Sequence, residues 1–172
     1  MSACQQIRGA VVIGIAFVLA ACSTTINTSQ AVPDSARANL IVKQATVSAD
    51  QGVAVPADVP SRLEQAVMKV AASHGSGTMP TNLRITITKY DVVSGGTRFF
   101  AGAFAGSNKL YTAVDVLDSG TGQTIGRYEV KREANPGGYG VFYDQAQATI
   151  EAAADGIVEG LYGASSSAQL QR

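Results

Sequence analysis

The chain has 172 residues, with 13 Lys and Arg against 13 Asp and Glu, no Trp, one His and two cysteines. So balanced a charge lacks the clustered cations that nucleic acid demands, and the scarcity of aromatic rings leaves little to stack on bases or sugars. Two cysteines and one histidine are too few for a Cys/His zinc cluster, so neither a metal nor a cofactor is expected.

Residues 1–21 read as an address. Arg8 is their only charge, and Ala10 to Ala20 form an apolar run of 11 residues. That is the layout of a secretory signal, and it is shorter than the roughly 20 residues a spanning helix needs. The run closes on Leu19-Ala20-Ala21-Cys22, which resembles the lipobox of bacterial lipoproteins. There the cysteine thiolate takes up a diacylglyceryl group and the small residues admit the peptidase. Cys4 would leave with the leader and Cys22 would be capped as a thioether, so no thiol remains for a disulfide. Each buried methylene adds about 0.8 kcal/mol, so two or three acyl chains such as palmitate make attachment essentially permanent. Ser23, where Asp would favour the inner membrane in the resembling pathway, implies the outer membrane, and the domain is expected to face the periplasm.

Removing the leader leaves about 150 residues, enough for one domain with one core. The Ser- and Thr-rich residues 22–38, broken by Pro33, show no hydrophobic periodicity and are expected to form a flexible lipidated tether. The domain is placed at 39–163, and the Ser- and Gln-bearing tail 164–172 is expected to be disordered. Leu40 to Ser48 is the first predicted strand. The first helix starts at Ser61-Arg62-Leu63-Glu64, a capping-box pattern after Pro60, and runs to His74 before Gly75. Leu83, Ile85 and Ile87 alternate with Arg84, Thr86 and Thr88 as a half-buried strand.

Leu110 to Leu117 and Thr124 to Lys131 flank the turn residues Asp118 to Gln123 and predict an antiparallel hairpin, with Tyr128 and Val130 inward. The second helix is capped by Asp144, presents Ala146, Ile150, Ala153, Ile157 and Leu161 on one face, and stops at Gly163. The fold class is therefore α+β: a β-α-β-β-β-α two-layer sandwich, a mostly antiparallel sheet with both helices on one face.

Five aromatic residues are the candidate contacts for a partner or ligand. Phe99, Phe100 and Phe104 sit in a Gly-rich connection, and Tyr139 and Tyr143 in another, where they could stack on a sugar or an acyl chain. The plainer alternative is that the phenylalanines plug an open edge of the core, because an apolar ring left in water forfeits roughly 1.5–3 kcal/mol. Glu151, Asp155 and Glu159 recur every four residues and read as a solvated helix face rather than an ion site. His74 precedes Gly75, a position that suits a helix C-terminus better than catalysis. Neither a nucleophile-elbow pattern nor a complete phosphate loop occurs.

Arg98-Phe99-Phe100-Ala101-Gly102-Ala103-Phe104-Ala105-Gly106 before a strand, with Asp118-Ser119-Gly120-Thr121-Gly122-Gln123-Thr124-Ile125-Gly126-Arg127 before the next, resembles a family of Gram-negative lipoproteins known only as a domain of unknown function. The resemblance spans roughly residues 39–162 and implies no catalytic residues. Together these readings predict a non-enzymatic outer-membrane lipoprotein. Its partners would be the membrane, through its lipid anchor, and an envelope protein. An envelope glycan or lipid binder is the alternative, and a small hydrolase built on His74 with an acid and a serine is a more distant one.

Overall fold

The computed structural model describes residues 22–74, 77–92, 107–134 and 144–163. Five strands form one sheet: β1 (Cys22–Gln30), β2 (Leu40–Ala49), β3 (Met79–Asp91), β4 (Asn108–Asp118) and β5 (Thr124–Ala134). Three helices accompany them: α1 (Asp34–Arg37), α2 (Val59–Ala72) and α3 (Gln145–Tyr162). The strand order is β1-β5-β4-β3-β2, and every neighbouring pair is antiparallel except β2 with β3. Between those two the chain returns through α2, and such a crossover is what a parallel pair requires.

The α+β sandwich expected from sequence is present, with α2 and α3 on one face. Alternation decides which side of each strand meets them. Leu83, Ile85 and Ile87 of β3, Leu110, Val114 and Val116 of β4, and Tyr128 and Val130 of β5 are buried against Leu63 and Val67 of α2 and Ile150, Ile157 and Leu161 of α3. Along α3 the buried residues recur at helical spacing, the Asp144 carboxylate accepts from the Gln147 backbone N–H at 2.9 Å, and Gly163 ends the helix with φ +83°. Small residues let α3 close on the sheet: a Cβ on Gly160 would lie 2.6 Å from the Tyr128 ring, and one on Gly156 would lie 2.6 Å from Thr24 Cγ2. The buried Tyr128 hydroxyl donates to the Ile157 carbonyl of the same helix at 2.6 Å.

Three expectations are corrected. The segment 22–38 is not a flexible tether: Cys22–Gln30 is an edge strand paired residue by residue with β5, Val32 is buried, and α1 follows. The folded domain thus includes residues 22–38 instead of starting at 39. Its hydrogen-bonded backbone compensates for a side-chain set that buries little, and this explains the missing periodicity. Nor does the first helix begin at a Ser61–Glu64 capping box. Pro60 suits the first turn, so α2 starts at Val59, and the Ser61 hydroxyl donates to the Asp58 carbonyl at 2.9 Å instead. The element order accordingly gains a strand and a short helix ahead of the predicted six. The leader 1–21 and the tail 164–172 lie outside the described residues.

Candidate functional site

The site that the sequence singles out most sharply is Cys22, and the sheet gives it a definite place. Cys22 pairs with Ala134, and Ala134 pairs with Asn108, so the first residue of β1, the last of β5 and the first of β4 lie in one row. The next row runs Ser23, Glu133, Lys109, Asp91, which brings the end of β3 to the same rim. Asn108 is buried and donates to Gln145 Oε1 at 3.3 Å, so α3 begins there too.

Beyond the far edge strand, the Asp50 N–H donates to the Ile87 carbonyl at 2.9 Å as the chain leaves β2. The loop that follows lines, with Tyr90, Asp91 and Val92, a shallow hollow of about 530 Å³ walled by Ala54, Val55 and Pro56. One end of the domain therefore carries Cys22, the starts of α2 and α3, and a loop whose middle, Val53 to Ala57, is uncharged. The opposite end carries α1, the hairpin turn and the close of α3.

The hairpin turn is built as its residues predict. Asp118 Oδ1 accepts from the Gly120 N–H at 3.1 Å and from the Thr121 N–H and hydroxyl at 2.7 and 2.8 Å. These bonds, the Thr121 hydroxyl first, hold the carboxyl below the ordinary aspartate range. Gly122 supplies the positive φ of +72°.

Between α2 and α3 lies an open groove of about 390 Å³, with Arg62, Gln65 and Lys69 on one wall and Gln147, Glu151 and Asp155 on the other. Glu151, Asp155 and Glu159 are exposed, as expected, yet Glu151 and Asp155 line the same groove as the α2 cations Arg62 and Lys69, a placement that sequence spacing within one helix does not reveal. Arg62 binds Asp58 and Asp144 at 3.1 Å each and Gln147 Oε1 at 2.7 Å, so it clamps the two helix starts together. The Gln147 N–H first, and the Arg62 charge after it, keep the Asp144 carboxyl below its usual range. Among the described residues, no group of three or more His, Cys, Asp or Glu is placed to hold a metal, and no helix is long and apolar enough to cross a membrane.

His74 stacks on Tyr162 at 4.9 Å between ring centroids, and its Nδ1 lies 3.2 Å from the Val70 carbonyl and from the Ser73 hydroxyl. It sits at the end of α2, where the sequence placed it. Among the described residues no ion pair joins it to a carboxylate. Leu19, Ala20, Ala21, Phe99, Phe100, Phe104, Tyr139 and Tyr143 lie outside the described residues. The flanks of the two aromatic connections are described: Val92 and Ser107 for one, Ala134 and Asp144 for the other, all at the Cys22 end of the sheet.

The open face of the sheet was not marked by any motif. At its centre Tyr111 hydrogen-bonds the Glu133 carboxylate, with Lys89 and Lys131 ammonium groups 5.8 and 5.9 Å from its ring centre. Asp115 takes Arg127 at 2.6 Å and Arg84 at 3.9 Å. The register alone aligns them, Lys89 with Tyr111 and Tyr111 with Lys131, and the alternation of charged residues on β3, β4 and β5 is the signal that could have found it.

No curated protein matches the chain in sequence. Among solved structures, the PelC dodecamer from Paraburkholderia phytofirmans superposes with a TM-score of 0.51 over 81% of this chain and 98% of that one, at 9% identity. A single-substitution variant of that dodecamer gives 0.49 over 82% and 99%, at 8% identity. A candidate lipoprotein from Caulobacter crescentus CB15 gives 0.36 over 75% and 92%, at 18% identity. What the 0.51 superposition shares with this chain is the fold. A family described only as a domain of unknown function, DUF4410, matches residues 23–138, starting within β1 where the motif resemblance started at 39. With two thirds of its length inside that match, this chain belongs to the DUF4410 family.

Proposed function

We propose that this protein is an outer-membrane lipoprotein, anchored through acylated Cys22 and facing the periplasm, whose domain is a non-enzymatic, partner-binding component of the cell envelope. The observation that carries the reading is the Leu19-Ala20-Ala21-Cys22 sequence at the end of an apolar leader, its cysteine being the first residue of β1. The open sheet face and the outer side of β1, an edge strand among the described residues, give such a domain surfaces for a partner, and an edge strand has backbone groups that a further strand can meet.

The anchoring is tested by intact mass and membrane fractionation of the full chain expressed in a Gram-negative host. A mature chain starting at Cys22 and carrying diacylglyceryl and a third acyl chain, in the outer-membrane fraction, is the expected result. A Cys22→Ser variant should keep its leader or appear without added lipid. Detection of unacylated wild-type protein in the soluble fraction would end the proposal.

The partner is sought by crosslinking in living cells. PelC of Paraburkholderia phytofirmans forms a dodecamer, which makes a second copy of this chain the first candidate; its check is the molar mass of the detergent-extracted protein.

A further inference from the structure

We infer that the domain lies directly on the lipid surface by the end of the sheet that carries Cys22, and that the loop Val53-Ala54-Val55-Pro56-Ala57 is a second, apolar contact with the bilayer. This rests on the anchoring proposed above and adds an orientation to it.

The argument begins with the length of free chain between anchor and fold, which is zero. Cys22 is itself the first residue of β1 and its backbone is in register with Ala134, so acyl chains on its sulfur start within a few bonds of a rigid edge strand. A flexible linker of 16 residues would hold a domain on the order of 20 Å from the lipid, because its span grows as about 5–6 Å times the square root of its length. With no linker that stand-off disappears, and the rim containing Cys22, Ala134 and Asn108 is brought to the headgroups.

One attachment point leaves the tilt of the domain free. The structure offers a second at the same end. Val53 to Ala57, between the exposed Asp50 and Asp58, carry no charge; Ala54, Pro56 and Ala57 are exposed, Val53 and Val55 are half-buried against the core, and Val92 and Asp91 adjoin them across the hollow. The loop follows β2, the opposite edge strand. Four interstrand steps of about 4.8 Å set it roughly 19 Å from β1, so the two contacts span the width of the sheet. Apolar side chains too few to hold a soluble protein on a bilayer gain from burial at about 25 cal/mol per Å² once an anchor has already removed the entropy of association. No other part of the rim combines exposure with an apolar run of this length among the described residues. Lipid, rather than protein, is the occupant because the anchor itself delivers this end of the domain to lipid.

The experiment uses the full acylated protein in vesicles of phosphatidylethanolamine and phosphatidylglycerol. Acylation caps Cys22 and processing removes Cys4, so an introduced cysteine is the unique thiol. An environment-sensitive nitrobenzoxadiazole dye on Ala54→Cys should shift to the blue on reconstitution and be quenched by nitroxide-labelled lipid. The same dye on Thr121→Cys, in the exposed turn at the other end of the sheet, should remain water-like and unquenched. Ten Gly and Ser residues inserted after Ser23 should cut the quenching at Ala54→Cys several-fold while the protein still floats with the vesicles.

If the protein floats and carries its lipid mass but the Ala54→Cys dye stays in water, or Thr121→Cys is the quenched site, the orientation is wrong and the anchoring stands. If the lipid mass is missing and nothing floats, the anchoring reading itself has failed, and the orientation with it.

Discussion

Tyr128 and Tyr111 stand on neighbouring strands of one sheet and face opposite ways. Tyr128 is 2% exposed, its ring against Gly160 and its hydroxyl on the Ile157 carbonyl. Burial first, and the nearby Tyr162 second, push its phenol far above the ordinary value. Tyr111 lies on the open face between two lysines, and there it is the Glu133 hydrogen bond, then burial, that raises the phenol. The same residue type thus does two jobs: on the helix side it is part of the packing, and on the open side it belongs to a solvated ladder of charges. Stability should therefore be concentrated on one face, leaving the other free to vary or to bind.

The sharpest way to break that contrast is to truncate the buried ring. Tyr128→Ala should cost about 3–5 kcal/mol in urea unfolding, because a large cavity opens under α3. Tyr128→Phe should cost only about 1 kcal/mol at neutral pH, the usual worth of one hydrogen bond. The sign of the pH effect follows from the raised phenol value. The folded state refuses the phenolate, so this contribution is intact below the unfolded value of about 10 and declines as pH rises above it, when only the unfolded chain ionises. Urea midpoints measured from pH 8 to 12 should fall less steeply in Tyr128→Phe than in the wild type; equal slopes would show that another group governs the alkaline limb.

Gly160→Ala probes the same contact from the helix. A methyl 2.6 Å from the Tyr128 ring should destabilise by about 1–3 kcal/mol, outweighing the gain of up to about 1 kcal/mol that Ala enjoys over Gly within a helix. A rise in Tm would mean that α3 can lift from β5 at no cost.

Thr112 offers a smaller effect of opposite sign. Its hydroxyl is buried and has no hydrogen-bond partner among the described residues, so the isosteric Thr112→Val should leave stability unchanged or raise it by up to about 1 kcal/mol. On the open face Tyr111→Phe should change stability by less than about 0.5 kcal/mol, as exposed polar contacts do. A loss there comparable to that at Tyr128 would erase the distinction between the faces.

What was legible in the sequence follows how much each element buries. The strand alternation at Leu83, Ile85 and Ile87, the helical spacing of Ile150, Ala153, Ile157 and Leu161, and the turn chemistry of Asp118 to Gly122 all carry strong local signals, and all three elements formed. β1 carries none: Ser23, Thr24 and Thr25 are exposed, and only Ile26 approaches the core. Its run of β-branched Thr24, Thr25, Ile26 and Thr28 was the faint trace of a strand. The capping box at Ser61 was a real pattern that lost to Pro60, whose fixed φ starts the helix earlier.

By itself, then, the sequence determined the α+β class, the two faces of its central strands, the hairpin and the lipobox-like Leu19 to Cys22, because each depends on residues close together along the chain. Only the tertiary structure decided that Cys22 opens an edge strand, that β2 and β3 run parallel, that Arg62 and Lys69 line one groove with Glu151 and Asp155, and that Tyr111 lies between two lysines. Those relations depend on which distant backbones share hydrogen bonds. Backbone groups are nearly the same in every residue, so a strand that buries few side chains can join a sheet while leaving almost no mark on its own sequence.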